Sequence, residues 1–197
     1  EPYRRQRQMC IRDRNNITSH QESSTTSWIK DVENNYTNIG VRVLDGFTAT
    51  HAGVGSEPAS PVTVDGVEFP LTAWKDGLLV KGEKNQGDVG PGRIEISQLD
   101  VARKYNFTIL AIRFNGSKDA RISSYKLVGK TESAVKEVKT GIKDAASFAA
   151  ANFEEYIAKF ENVEPDSEGK VIVEVKGLDT GSAAEGHINA LCISLAK

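Results

Sequence analysis

The chain has 197 residues, of which 39% are hydrophobic and 26% are charged, and its formal net charge is −2. This length and apolar content suit one β-sandwich domain or two very small domains, each with a packed core. No run approaches the roughly 18 to 20 apolar residues of a membrane span, and the slightly acidic balance argues against a nucleic-acid binder that works by counterion release.

The N-terminal segment, residues 1–14, differs from the rest of the chain in charge. It carries five arginines against one Glu and one Asp, and its removal leaves 20 basic and 25 acidic residues. The run MCIRDR at residues 9–14 resembles translated sequencing-adapter read-through, and the alternative is a basic arm that binds an anionic surface. Because Met9 is the single methionine, we expect a fragment from a metagenomic assembly, without the natural start of the gene or its signal peptide.

The next segment, residues 15–27, is polar and ends in a Ser/Thr run, which predicts a disordered linker. The predicted organisation is therefore a non-native-looking N-terminus plus linker over residues 1–27 and one β-sandwich domain over 28–197. Within that domain, short apolar or alternating runs recur between turn residues, at 41–44, 78–80, 93–97, 105–114, 122–128, 171–175 and 188–195. This spacing predicts an all-β fold, an antiparallel β-sandwich or jelly roll.

One segment, residues 148–161, fits two secondary structures. Phe153, Tyr156, Ile157 and Phe160 have helical spacing, whereas Tyr156, Ala158 and Phe160 would share one face of a strand. The all-β context favours the strand. The turn at residues 165–169 then predicts a hairpin with the strand that follows.

A search for catalytic and metal-binding motifs finds no nucleophile elbow, P-loop, dinucleotide fingerprint or His/Cys pair with zinc-ligand spacing. Four carboxylates cluster at Glu161, Glu164, Asp166 and Glu168. They can be glycosidase acids, calcium ligands or, as we favour, a solvated turn. We expect no catalytic residue, and a structural calcium ion is the one cofactor left open. Cys192, in an apolar run, is predicted to be buried and inert.

Aromatic and polar side chains in the predicted loops are candidates for a sugar site, because sugar rings stack on Trp and Tyr while polar groups bind the hydroxyls. The candidate ligand-binding residues are Trp74, Trp28, Tyr36, Asn115 and Asp119. The alternatives also stand: Trp74 can close one end of the core, and Asn115 and Asp119 can belong to an ordinary turn.

The order of elements from residue 67 onward resembles a galactose-binding-like (jelly-roll) module of the kind found beside esterases and glycoside hydrolases in secreted Bacteroidetes-type proteins. The matching pieces are residues 69–77, 94–99, 105–110, 115–117, 121–129, Asn152, 163–169 and 187–193. The last of these contains Ile-Asn-Ala, in which Asn189 is expected to be structural and to satisfy backbone groups of a neighbouring loop.

The resemblance implies a non-catalytic accessory module of a larger secreted carbohydrate-active protein, at the cell surface, in the periplasm or outside the cell. Its partners would be a glycan or an adjoining catalytic domain, and it implies neither nucleic acid nor a membrane span. The first alternative is a purely structural or interaction domain that packs on a hydrolase. The second is a fragment of an SGNH-type esterase, or of an acid–base hydrolase that uses Glu164 or Asp166.

Overall fold

The computed structural model describes residues 9–10, 17, 19–31, 33–52, 62–64, 67–69, 76–81, 90–114, 121–142, 152–178 and 185–197. Within these ranges the chain forms seventeen strands and one short 3₁₀ helix, and it has no helix long and apolar enough to cross a membrane. The elements are β1 (Met9–Cys10), β2 (Thr25–Thr26), β3 (Gly40–Asp45), β4 (Ala49–Ala52), β5 (Val62–Val64), β6 (Val67–Phe69), β7 (Asp76–Lys81), β8 (Gly92–Ser97), β9 (Tyr105–Leu110), β10 (Arg113–Phe114), β11 (Ile122–Val128), β12 (Lys136–Lys139), β13 (Gly141–Ile142), the 3₁₀ helix (Phe153–Tyr156), β14 (Ile157–Val163), β15 (Val171–Gly177), β16 (Glu185–Ile188) and β17 (Ala190–Leu195).

Six strands form the larger layer of the sandwich, in the order β12-β11-β15-β8-β3-β2, and every neighbouring pair is antiparallel. Strand β8 shows why this sequence makes a two-faced sheet. Ile94 and Ile96 enter the core, while Arg93 and Glu95 alternate with them and form ion pairs with neighbouring strands. Successive side chains of a strand point to opposite faces, so the two isoleucines enter the core and the charged residues lie on the outer face, where ion pairs leave Glu95 only 9% exposed.

The second layer combines a four-stranded sheet, β1-β17-β9-β14, with a three-stranded sheet, β16-β7-β4. Strands β16 and β17 are consecutive and are separated only by Asn189, so the chain passes from one sheet to the other at this residue. Two small pairs, β5-β6 and β10-β13, complete the described strands.

The hydrophobic core lies between the two layers. Tyr125 and Val173 from the six-stranded sheet belong to the same buried cluster as Phe107 and Ile193 from the four-stranded sheet and Val80 from the three-stranded sheet. All five side chains are at most 1% exposed, and burial of such a side chain contributes about 1.5–3 kcal/mol. The protein is therefore the antiparallel all-β sandwich that the alternating runs predict.

The prediction of a linker over residues 15–27 is wrong for its last part. Thr25–Thr26 pairs with β3 as an edge strand of the six-stranded sheet. Ser23 N–H donates to the carbonyl of Val43 at 2.9 Å, and Val43 N–H donates to the carbonyl of Ser24 at 2.9 Å. A Ser/Thr run has the composition of a linker, but its backbone can still pair with a sheet edge that needs a partner.

The segment that fits both helix and strand contains a short piece of each. Asn152 caps the 3₁₀ helix by accepting a hydrogen bond from Glu154 N–H, and the chain is extended from Ile157 onward. Tyr156, Ala158 and Phe160 are all buried, as the strand interpretation predicts. Residues 148–151 lie outside the described ranges.

The hairpin predicted between β14 and β15 is not formed, because the two strands belong to different layers. Strand β14 pairs with β9, whereas β15 pairs with β11 and β8. The pairing of β14 with β9 shifts register between Phe160 and Val163, and Asn162 between them has a left-handed φ of 57°. At this break the chain leaves the four-stranded sheet, and the turn at residues 165–169 leads into the six-stranded sheet.

Candidate functional site

The strand register defines two ends of the sandwich. Gly40, the first residue of β3, lies opposite the last residue of β8, and Val128, the last residue of β11, lies opposite the second residue of β15. We call this the Trp28 end, because the segment that leads into β3 carries Trp28. At the opposite end β11 begins and β15 ends, and we call it the Arg121 end after the residue that precedes β11.

A small hairpin over residues 29–39 projects from the Trp28 end. Ile29 N–H donates to the carbonyl of Ile39 at 3.0 Å, and Thr37 N–H donates to the carbonyl of Ile29 at 2.8 Å. Both isoleucines are buried in the core. The hairpin is therefore anchored at its base, although it lies outside the main sheets.

The carboxylate of Asp31 fixes the tip of this hairpin. Its Oδ1 accepts hydrogen bonds from the backbone N–H groups of Glu33 at 3.0 Å and Asn35 at 2.8 Å. Asp31 itself is buried, whereas the side chains of Glu33 and Asn34 are exposed. The tip thus presents polar groups to solvent from a backbone held by hydrogen bonds.

Two of the predicted ligand-binding residues are exposed here: Tyr36 lies on this hairpin, and Trp28 immediately precedes it. Trp28 is 65% exposed and Tyr36 is 72% exposed. Tyr36 faces Lys30 across the hairpin, and the Lys30 Nζ lies 4.5 Å from the centre of the tyrosine ring. Trp28 has a left-handed φ of 58°, a conformation that costs of order 1–3 kcal/mol in a residue other than glycine.

The exposed large hydrophobic side chains of the described residues all lie in connections at the Trp28 end. Besides Trp28 and Tyr36 they are Val101, between β8 and β9, and Val135, between β11 and β12. Val101 follows β8, the neighbour of β3, whereas Val135 precedes β12 at the far edge of the sheet. Trp28, Tyr36 and Val101 are therefore on one side of this end, and Val135 is on the other.

The remaining predicted site residues, Trp74, Asn115 and Asp119, lie outside the described residues. The strand ends that flank residues 115–120 are nevertheless described: Phe114 ends β10, and Arg121 precedes β11. Both belong to the Arg121 end. The described strand ends on either side of Asn115 and Asp119 are therefore at the end of the sandwich opposite to Trp28 and Tyr36.

At the Arg121 end the structure brings together four ionisable side chains that the sequence analysis did not select. We call Arg113, Arg121, Glu185 and His187 the Arg121 cluster. Glu185 Oε2 lies 2.8 Å from Arg113 Nη1 and also accepts a hydrogen bond from Arg121 Nη1. His187 Nε2 lies 3.7 Å from the same carboxylate oxygen and 3.4 Å from Arg121 Nη1.

The backbone around Thr140 holds the two arginines in place. Thr140 N–H donates to the carbonyl of Arg121 at 2.9 Å, and Arg113 N–H donates to the carbonyl of Thr140 at 2.7 Å. Strands β10 and β13 also pair beside this point. The two guanidinium groups therefore reach Glu185 from neighbouring segments whose backbones are joined.

The histidine of the cluster is fixed by strand β11. His187 N–H donates to Ser123 Oγ at 2.9 Å, and its carbonyl accepts a hydrogen bond from the Tyr125 hydroxyl. Burial raises the pKa of Tyr125 above its ordinary range, which keeps that hydroxyl protonated as a donor. Burial likewise lowers the pKa of the Arg121 guanidinium; Glu185 opposes this shift and the neighbouring Arg113 adds to it.

This cluster has no signature in the sequence, because its members are far apart along the chain. Arg113 is 72 residues from Glu185, and Arg121 is 64 residues from it. Each residue also looks unremarkable locally, as a charge next to a strand. Only the passage of β16 alongside β11 brings the charges together.

The acidic turn between β14 and β15 has a structural role. Glu164 binds Lys104 Nζ at 2.9 Å and Lys130 Nζ at 2.7 Å, and hydrogen bonds from these lysines lower its pKa to about 2. Asp166 Oδ1 accepts hydrogen bonds from two backbone N–H groups of its own turn. A general acid needs a raised pKa, so the environment of Glu164 is opposite to that requirement.

The outer face of the six-stranded sheet is covered by ion pairs rather than aromatic rings. Arg93 lies 3.0 Å from Asp45 and 3.1 Å from Glu174, and Lys126 lies 3.1 Å from the same glutamate. Burial tends to raise the pKa of Glu174, but hydrogen bonds from Arg93 and Lys126 outweigh it and lower the pKa. This face is therefore a balanced ionic surface without a stacking platform among its described residues.

The described part of the chain contains no group of three or more His, Cys, Asp or Glu side chains arranged to hold a metal ion. The structural calcium ion considered from the sequence remains a prediction.

Comparison with known proteins gives matches only among solved structures. No family model and no curated protein matches the chain. The ANX2 ectodomain from Arabidopsis thaliana is 10% identical, with a TM-score of 0.48, over 79% of this chain and 42% of that one. A structure of the CBM51-2 (in complex with GlcNAc) and INT domains from Clostridium perfringens ZmpB is 11% identical, with a TM-score of 0.36, over 97% of this chain and 41% of that one. The M60 catalytic domain with CBM51-1 and CBM51-2 from the same protein is 12% identical, with a TM-score of 0.31, over 96% of this chain and 19% of that one. The chain thus spans less than half the length of each of these structures.

Proposed function

We propose that the chain is a non-catalytic accessory module that binds a glycan at the Trp28 end of the sandwich. The observation that carries the proposal is the exposure of Tyr36, at 72%, on a hairpin whose base is buried, and of Trp28, at 65%, immediately before that hairpin. Exposed aromatic side chains that lie together on a surface are characteristic of ligand-binding and protein-contact sites. The family resemblance in the sequence supports the same function.

The chemistry of the hairpin suits a sugar. Tyrosine and tryptophan rings offer flat apolar surfaces to the C–H faces of sugar rings. Glu33 and Asn34 at the tip are exposed and can bind hydroxyl groups. A shallow site of this kind binds weakly, and linkage to other modules raises its effective affinity.

The expected location of the module follows from the same family resemblance. We expect it to work outside the cell, at the cell surface or in the periplasm, as part of a larger carbohydrate-active protein. Its partners would then be a glycan and an adjoining catalytic domain. A calcium ion remains a candidate cofactor, and the binding experiment below therefore includes calcium as a variable.

A second candidate function is an interaction domain that packs on a hydrolase without binding a glycan. The exposure of Val101, at 58%, favours it, because an exposed aliphatic side chain at the same end of the sandwich as the exposed aromatics suits a protein contact. Of the hydrolase alternatives, we favour least the acid–base hydrolase that uses Glu164 or Asp166, since Glu164 is paired with two lysines and Asp166 accepts hydrogen bonds from its own turn.

A glycan array probed with the full chain, with and without calcium, tests the first function. We expect binding to one class of sugar, and loss of that binding in Trp28→Ala and Tyr36→Ala with an unchanged melting temperature. Val135→Ala is the matched control, because it truncates an exposed hydrophobic side chain on the other side of the same end.

The outcomes separate the two candidates. Binding that is lost in the aromatic variants and kept in the Val135 variant supports the glycan site. Absence of binding under both conditions contradicts it and favours the interaction domain. Binding that survives both aromatic substitutions would place the sugar elsewhere on the molecule.

A further inference from the structure

The charges of the Arg121 cluster do not balance among the described residues. Two guanidinium groups share one carboxylate oxygen of Glu185, and the described residues place no second carboxylate in contact with either arginine. The side chain of Arg121 is only 4% exposed. An excess positive charge held this far from water is costly unless an anion lies close to it.

Two further hydrogen-bonding atoms, one in the cluster and one on the neighbouring Thr140, have no part in the contacts with Glu185. Arg121 Nε and Thr140 Oγ1 are buried and have no hydrogen-bond partner among the described residues. The two residues are joined through the backbone, since Thr140 N–H donates to the Arg121 carbonyl. An N–H donor and a hydroxyl that both lack partners are the groups that a bound oxyanion would satisfy.

The cluster is partly open to solvent through Arg113 and Glu185. The side chain of Arg113 is 26% exposed and that of Glu185 is 18% exposed, in contrast to the buried Arg121. An incoming anion would therefore meet Arg113 first, with Arg121 behind it. Glu185 already shows that a carboxylate fits between these guanidinium groups.

From these observations we propose that the Arg121 cluster is a second binding site, for a ligand that carries a carboxylate group. Arg113 and Arg121 are the binding residues, and Glu185 is the internal carboxylate that holds them together and competes with the ligand. The site lies at the end of the sandwich opposite to Trp28 and Tyr36, so it is independent of the glycan site proposed above.

Another glutamate provides a matched comparison. Glu174, on the outer face, also lies between two cations, Arg93 and Lys126, and its side chain is 19% exposed, against 18% for Glu185. There Asp45 supplies a second carboxylate to Arg93. Glu174→Gln thus removes the same group from a similar contact without leaving a buried arginine.

The experiment measures the melting temperature of the full chain in sodium galacturonate, acetate, sulfate and chloride at equal ionic strength. We expect galacturonate to raise the melting temperature of the wild type over chloride by about 2–4 °C at several times its Kd. Arg113→Gln should weaken the binding of galacturonate about tenfold. Arg103→Gln, an exposed arginine at the Trp28 end, should leave it unchanged.

Glu185→Gln gives a result that a merely structural cluster would not. We expect this variant to melt lower than the wild type in chloride and to be stabilised by galacturonate more than the wild type is. Glu174→Gln should show no such extra response. Trp28→Ala should leave the response at the Arg121 cluster intact, which separates this site from the glycan site.

The four salts decide the chemical class. Stabilisation by galacturonate and acetate alike supports a site for any carboxylate, and stabilisation by galacturonate alone supports an acidic sugar. Stabilisation by sulfate alone overturns the assignment of a carboxylate. Equal melting temperatures in all four salts overturn the site. An equal loss of galacturonate binding in Arg113→Gln and Arg103→Gln overturns it as well.

Discussion

The side-chain oxygen of Asn189 accepts a hydrogen bond of 2.8 Å from the backbone N–H of Ile112, although 77 residues separate the two in sequence. The backbone N–H of Asn189 in turn donates to the carbonyl of Leu110 at 2.9 Å. These bonds join the end of β9 to the point where the chain passes from β16 to β17. The expectation that Asn189 satisfies backbone groups of a neighbouring loop is confirmed.

Replacement of Asn189 by Ala should destabilise the protein. Ile112 is fully buried, so its N–H would lose its partner away from water, at a cost of about 1–3 kcal/mol. Urea unfolding measures the loss. Asn106→Ala is the control, because Asn106 Oδ1 also accepts a backbone N–H, from Asn162 at 3.0 Å, but at an exposed site. If the two variants lose equal stability, the buried position of the Asn189 contact is not what makes it important.

Trp28 provides a prediction that separates conformation from binding. Its φ of 58° is left-handed, a region that glycine adopts without the strain that other residues carry. Trp28→Gly should therefore be more stable than Trp28→Ala by about 1 kcal/mol, as measured by thermal unfolding. Both variants should lose glycan binding equally, because both lack the ring. If Trp28→Gly is instead the less stable of the two, the left-handed conformation does not govern the stability at this position.

The sequence predicted those features that depend on local pattern. The alternation in β8 gave its buried face, Cys192 is buried as expected, and Tyr156 and Phe160 fall on the predicted face of their segment. The hairpin between β14 and β15 was wrongly predicted because a turn sequence shows that the chain reverses but not which layer it enters. The pairing partners, β9 for one strand and β11 and β8 for the other, are set by long-range packing.

The two candidate sites also differ in how far they can be predicted from the sequence. Exposed aromatics in a loop can be recognised in a sequence, and Trp28 and Tyr36 are exposed as that interpretation requires. The Arg121 cluster has no local signature, because its charges come from three separate strands or strand ends. A buried ion cluster is a property of the topology, and it becomes visible only once the strand order is known.

Replacement of Gly129 by Ala should destabilise the protein. A Cβ atom at this position would lie 2.2 Å from the carbonyl oxygen of Glu164, a backbone atom. The acidic turn would have to move, and we expect a loss of about 1–3 kcal/mol in the free energy of unfolding. Lys130→Ala is the control, because it removes the neighbouring lysine of the Glu164 ion pair, an exposed contact worth at most about 1 kcal/mol. A Gly129→Ala variant no less stable than Lys130→Ala would show that the turn can shift without cost.

The ion pairs of Glu164 should make stability depend on pH at its acidic end. The pKa of Glu164 is lowered from the ordinary glutamate value of 4.5 to about 2 in the folded protein, so the carboxylate binds protons less readily when folded than when unfolded. Its contribution to stability is therefore complete above about pH 4.5, falls as the pH drops, and is lost below about pH 2. Glu164→Gln should be less stable than the wild type at pH 7, and the difference should shrink steadily between pH 4.5 and pH 2 in urea unfolding. Glu161→Gln, an exposed glutamate three residues earlier, is the control and should follow the wild type. A gap between wild type and Glu164→Gln that stays constant over this range would mean that the glutamate acts through packing rather than through its charge.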